Sequence, residues 1–215
     1  MDLVELRKLV RDGENEKVEF KRKIRHPEKV IREVVAFANS TGGHLLVGVS
    51  DDGELPGLKF ADEEEYVLSK AIHDLCRPAI DFSVERIDVG QEQIVLHYFI
   101  PESTVKPHFA FLNKNHRFGK VFVRVDDRSI QASKELRKWL KGEQKESNRG
   151  FRYGEYEKLL LNYLGSHEHI TLKEFCEASK LSIQQASDVV IDLALNHVIR
   201  IVPREREDWY VFAEQ

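Results

Sequence analysis

The stretch FANSTGGHLLVGVSDDG, residues 37–53, decides how this chain folds. Upstream of it, Val30, Ile31, Val34, Val35, Phe37 and Ala38 recur at a period of 3.6 behind Pro27, a residue suited to a first helical turn. This predicts a helix that ends near the sequence NSTGG. The run HLLVGVS that follows is short and continuously apolar, as in a strand covered on both faces, and DDGELPG is a turn by composition. The order is therefore helix, glycines, strand. A phosphate-binding loop runs the other way, from strand to helix, and needs a G-K-[ST] sequence that occurs nowhere here. The helix would also turn its partially negative C-terminal end to such a phosphate, so nucleotide hydrolysis is not expected. Gly42 and Gly43 are expected to close the helix in a left-handed conformation, with Gly48 admitting a close backbone approach.

Working outward, Leu3, Leu6, Leu9 and Val10 follow Asp2, an N-cap type, and precede Gly13, which predicts a short first helix. KVEFKRKI alternates like a strand. A second amphipathic helix spans 62–77 and stops before Pro78, followed by the alternating runs FSVERIDV, QIVLHYFI and GKVFVRV of a mainly antiparallel sheet. A helix is expected around SKELRKWLKG. KGEQKESNRG, residues 141–150, is polar and without apolar period, a linker by composition. Beyond it, three helical segments and a terminal hairpin predict a small winged helix-turn-helix over 151–215, with Ser182 capping its third helix.

The class is α+β, in a first domain over 1–140 and a second over 151–215. Of the 215 residues, 41% are hydrophobic and 33% charged, an ordinary globular balance. No apolar stretch approaches the roughly 18 residues of a membrane span, and the acidic N-terminus does not suit a signal peptide, so a cytoplasmic protein is expected. Cys76 and Cys176 are the only cysteines and imply neither a disulfide framework nor a zinc site. His167 and His169 lack a third ligand nearby, and no metal is assigned to them. The formal net charge is −4, and the excess acid lies in residues 151–215, with 7 Lys+Arg against 11 Asp+Glu.

The blocks GENEKVEFK (13–21), VVAFANSTGGHLLVGVSDDGELPG (34–57) and VFVRVDDRSIQAS (121–133), the last read as one late strand, together resemble the Schlafen AlbA-like domain, also catalogued as a divergent AAA ATPase domain. The resemblance covers roughly residues 12–135. It implies a DNA-binding protein of the bacterial transcriptional-regulator type, often with a C-terminal winged helix. It also implies an alternative, since eukaryotic relatives include endonucleases that cleave structured RNA with three carboxylates. Carried onto this sequence, those acids would be Glu14, Glu19 and Asp51 or Asp52, with magnesium or manganese as cofactor only in that case. Here Ser50 follows the strand and the acids come one and two positions later, which displaces the third carboxylate.

Between Glu102 and Asp126 there is no acidic residue, while Lys106, Lys114, Arg117, Lys120 and Arg124 supply positive charge among Phe109, Phe111, Phe118 and Phe122. Basic residues interleaved with aromatics suit a phosphate backbone and exposed bases. Lys21 and Arg22, with Lys23 and Arg25, form a second basic cluster. The segment SIQQASDVVIDLALNH carries Asp188 and Asp192 but no Lys or Arg, which disfavours it as a DNA reader, although Gln184, Gln185 and Asn196 could touch base edges and Arg200, Arg204 and Arg206 the backbone. The expected partner is thus nucleic acid, DNA before RNA, with a homodimer through the winged helix or a pure protein-interaction module as further readings.

Overall fold

The computed structural model describes residues 1–143 and 153–213. It divides into two compact units, 1–131 and 132–215. No helix of the described residues is long and apolar enough to cross a membrane.

The first unit opens with α1 (Leu3–Asp12), whose N-cap Asp2 accepts from the amides of Val4 and Glu5 while Glu5 reaches back to the Asp2 amide. Next come β1 (Val18–Lys21), α2 (Pro27–Asn39) and β2 (Gly43–Val47). β1 and β2 run parallel, with α2 as their crossover. α3 (Ala61–Leu75) and the two-residue β3 (Cys76–Arg77) lead to the antiparallel pair β4 (Ser83–Gly90) and β5 (Gln93–Ile100). The resulting sheet has the order β1-β2-β5-β4. One face, through Leu45, Val47, Leu96 and Tyr98, packs on α2 and α3, and the other, through Phe20, Leu46, Ile87 and Val95, on Leu6 and Val10 of α1. β2 is therefore covered on both sides, as its unbroken apolar run predicts. Cys76 is buried, which pushes its thiol up to about 12.

The glycine pair divides its work. Gly42 has φ +75°, and a Cβ there would stand 2.7 Å from the Glu102 nitrogen. Gly43 is not left-handed. It is required for space instead, since a Cβ would lie 2.2 Å from the Phe37 ring. Gly48, at φ +103°, lets its carbonyl accept from the Gly57 amide at 3.0 Å, the close approach expected of it.

β6 (Phe109–Ala110) pairs with β3, and β7 (Phe122–Val125) with β8 (Arg128–Gln131). The block VFVRVDDRSIQAS is thus a tight hairpin rather than one strand. Asp126 turns it at φ +55°, a conformation that Asp tolerates better than most residues.

The second unit holds α4 (Lys134–Glu143), α5 (Glu155–Leu164), α6 (Leu172–Ser179), α7 (Ile183–Leu195) and the antiparallel hairpin β9 (Ile199–Val202) and β10 (Trp209–Phe212). Thr171 and Ser182 cap α6 and α7 through capping boxes. Leu160, Phe175, Val190, Leu193 and Tyr210 form the core. α4, which sequence grouped with the first domain, packs along α7: Ser187 donates to Glu135 at 2.7 Å, and Lys138 pairs with Asp188 at 3.1 Å. Of the expected linker at 141–150, residues 141–143 belong to α4 and 144–150 lie outside the described residues.

Candidate nucleic-acid interface

The basic segment is built on the last residue of α2. Asn39 is buried, and its side-chain amide donates to the carbonyls of His108 and Phe122, both at 3.0 Å, while its oxygen accepts from the His108 amide at 2.7 Å. One side chain thus fixes both arms of the segment that runs from β6 to β7. His108 is itself buried, with Nδ1 at 3.0 Å from the Pro78 carbonyl and Nε2 at 2.7 Å from Ser103 Oγ. Burial lowers its pKa, so it serves this frame as a neutral ring.

Paired amides and carbonyls of Ala110 and Lys120, at 2.8 Å each, close the base of a loop over 111–119. Lys114, Arg117 and Lys120 are exposed on and beside this loop, and Phe118 stands 81% exposed among them. The loop is moored to the end of α3. Lys114 Nζ lies 2.8 Å from Asp74 Oδ2, Phe111 donates its amide to the Leu75 carbonyl, and the Arg77 guanidinium sits 4.8 Å over the Phe111 ring. The Lys114 ammonium holds the Asp74 carboxyl below its ordinary range. Arg77, exposed beside the loop, escaped sequence reasoning because it falls in a two-residue strand with no pattern of its own.

Two lysines and one arginine expected at the interface do other work. Lys106 is only 11% exposed and is spent on Glu102 at 2.6 Å and the Ser40 carbonyl at 3.3 Å. Lys21 pairs with Glu19 and donates to the Phe20 carbonyl at 2.8 Å. Arg22, Lys23 and Arg25 remain exposed, and Ile24 between them donates its amide to Glu64 of α3 at 2.7 Å. Both basic clusters are therefore tethered to α3, at Glu64 and Asp74, about 15 Å apart along the helix axis.

Arg124 is the clearest departure, because its side chain is 0% exposed. Its NH1 donates to Glu19 at 3.0 Å, Glu33 at 2.9 Å and Ser129 Oγ at 3.2 Å, and its NH2 donates to the Asn15 carbonyl at 2.8 Å. The guanidinium lies 4.8 Å over the Phe37 ring, and Ser129 donates in turn to Glu33. Burial, then the neighbouring Glu19 charge, raises the Glu33 pKa. Arg124 is thus an internal counter-ion. It shares its face with Phe122, as alternation requires, but both are buried.

The same network bears on the three carboxylates. Glu14, Glu19 and Asp51 are electrostatic neighbours, and burial chiefly raises the Glu14 pKa. Yet one oxygen of Glu19 is held by Lys21 and the other by Arg124, and Glu14 Oε1 accepts from the Phe20 amide at 2.8 Å. Asp52 accepts from the Ser50 hydroxyl. A divalent ion needs carboxylate oxygens free to bind it, and here two cations already occupy Glu19. Among the described residues no group of three or more His, Cys, Asp or Glu is placed to hold a metal.

In the second unit, Gln184 accepts from Lys134 at 2.8 Å and donates to Asp188 at 3.0 Å, so α4 engages a side chain expected to touch bases. Asn196 donates to the Asp192 carbonyl at 2.7 Å. Trp209 is stacked on His169 at 3.9 Å and carries Arg204 at 4.2 Å, while His167 stacks on Tyr163.

Residues 14–133 match the family described as Schlafen, AlbA_2. No curated protein matches the chain. Among solved structures it is similar to the N-terminal domain of a RecG-related protein from Nitrosomonas europaea, at 21% identity and a TM-score of 0.44, over 71% of this chain and 99% of that one. It is also similar to the DIP2311 protein from Corynebacterium diphtheriae, at 17% identity and a TM-score of 0.42, over 79% of this chain and 31% of that one.

Proposed function

The chain belongs to the Schlafen, AlbA_2 family, and on that premise we propose that it binds nucleic acid, duplex DNA before RNA, as a transcriptional regulator acting in the cytoplasm. The observation that carries this reading is the loop over 111–119. An 81% exposed Phe118 stands among Lys114, Arg117 and Lys120 on a base fixed by Asn39. Basic side chains neutralise phosphates, and an exposed aromatic beside them suits stacking on a base or insertion at a base step. The cluster of Arg22, Lys23 and Arg25, tethered to the same helix, extends the positive track. We read the second unit as a winged helix that adds backbone contacts through Arg204 and Arg206 of its hairpin, while α7 presents Asp188 and Asp192 to solvent and reads no bases. The alternative of metal-dependent RNA cleavage is disfavoured by the engagement of Glu19.

Fluorescence anisotropy against labelled duplex DNA, single-stranded DNA and structured RNA across a salt series tests the proposal. Lys114→Glu, Arg117→Glu and Lys120→Glu together are expected to weaken binding at least tenfold. They should also flatten the slope of log affinity on log salt by about 2.7, from roughly 0.9 per phosphate contact. Phe118→Ala alone should cost about 1–3 kcal/mol of affinity with the salt slope unchanged. All four positions are exposed, so circular dichroism should show the fold intact, and Arg117→Glu with Lys120→Glu alone, which keeps the Lys114–Asp74 mooring, should still weaken binding. Unchanged affinity in the triple variant would overturn the reading.

A further inference from the structure

The sheet of the first unit ends on β4. Its one partner is β5, and among the described residues no strand pairs with its other edge. Such an edge presents a row of unpaired amides and carbonyls, which proteins blunt with charge, bulges or a covering element. α1 and α3 cover the two faces, but Ser83, Glu85, Arg86 and Asp88 are exposed along the strand. A bulge between Asp88 and Gly90 interrupts only its far end. What this edge excludes and what it admits follows from where its charges fall.

A second copy can extend the sheet by antiparallel pairing about a twofold axis perpendicular to it. Such an axis keeps each face of the strand on its own side, so facing residues have numbers of equal parity. Centring the axis on Arg86 sets Arg86 against itself, and centring on Glu85 or Asp88 sets like carboxylates together. Centring on Ile87 places Arg86 opposite Asp88 of the partner, twice by symmetry, with Ile87 facing its own copy. Opposite charges directly across a pair are favourable and like charges are not, so the charges select one register.

Arg86 is anchored on α3. Its Nε donates to Glu65 at 2.7 Å and its NH1 pairs with Asp62 at 2.6 Å, which leaves the planar fork with further donors. Beside it, Asp62, Glu65, Tyr66, Ser69 and Lys70 line a groove of about 480 Å³ that gives room for side chains of an added strand.

We propose that the open edge of β4 pairs antiparallel with β4 of a second copy of this chain, centred on Ile87 and sealed by reciprocal Arg86–Asp88 ion pairs. The inference is independent of nucleic-acid binding and uses a surface other than the second unit, to which sequence reasoning assigned dimerisation. An added strand of this length buries less than a standard interface of about 1,200–2,000 Å², so a reversible dimer in the micromolar range is expected.

The test is a charge swap read by sedimentation velocity on the full chain. The wild type should pass from 25.0 kDa toward twice that mass as concentration rises through the micromolar range. Arg86→Asp and Asp88→Arg should each weaken self-association about tenfold to a hundredfold, because every cross-strand pair becomes Asp–Asp or Arg–Arg. Mixed in equal amounts, the two variants should associate again, since each Asp then faces an Arg. Circular dichroism of each variant alone confirms folding. A wild type that stays monomeric overturns the proposal, and so do single variants that dimerise like wild type, which would move the contact elsewhere. A mixture that fails to associate overturns the register.

Discussion

Arg124→Leu is expected to remove about 3–5 kcal/mol of folding stability. The guanidinium is fully buried and bridges Glu19, Glu33 and the Asn15 carbonyl. Leucine fills part of the volume but leaves the buried Glu19 and the partly buried Glu33 facing each other without their counter-ion. Repulsion then adds to desolvation, which already raises the Glu33 pKa. The sign follows by linkage. A carboxyl whose folded pKa is raised contributes stability below its unfolded pKa and loses it as pH rises through the folded pKa. The deficit of Arg124→Leu should therefore be greatest at neutral pH and shrink on acidification, as urea unfolding at pH 7 and pH 5 would show. Glu19→Gln and Glu33→Gln introduced together with Arg124→Leu should recover much of the loss. Because Arg124 does not reach the surface, the folded variant should keep its nucleic-acid affinity. A loss below about 1 kcal/mol would refute the internal counter-ion role.

Asn39→Leu should cost about 3 kcal/mol or more for a different reason. Its amide satisfies two buried carbonyls and one buried amide, and each such group left unpaired costs about 1–3 kcal/mol. These groups belong to His108 and Phe122, at the two ends of the segment that carries Lys114, Arg117 and Lys120. Amide exchange should therefore quicken over 106–122 before it does in β2 and β5. Nucleic-acid affinity should fall although no basic residue has been changed. If exchange rises evenly over the whole unit, Asn39 stabilises the core generally and does not act as the clasp of the loop.

Much of the first unit was legible because its signals are local. Asp2 and Gly13 bracket α1, Pro27 starts α2, and the alternation of FSVERIDV and QIVLHYFI gives β4 and β5 almost to the residue. The hairpin of β7 and β8 was missed because Asp126 and Asp127 form its turn without a glycine. β3 and β6 have two residues each, too few for any period. In the loop over 111–119 and beside it, exposed Lys114, Arg117 and Lys120 could be read from composition, since a charge in a polar loop has no reason to be buried. Arg124 could not, because its partners Glu19 and Glu33 lie 105 and 91 residues away in sequence. The engagement of Glu19 by Arg124 was hidden for the same reason. α4 was expected as a helix, but which helix it packs against is a tertiary fact.

That separation of 105 residues also orders events in time. β1, α2 and β2 are contiguous and can assemble by closing short loops, whereas β7 must return across most of the unit before its arginine meets Glu19. Contacts with such a span form late on the way to the native state. Arg124→Leu should accordingly leave the refolding rate nearly unchanged and appear almost wholly as faster unfolding in a chevron plot. The buried ion network would then act as a latch on a structure already assembled, setting how long the folded protein lasts more than how quickly it forms.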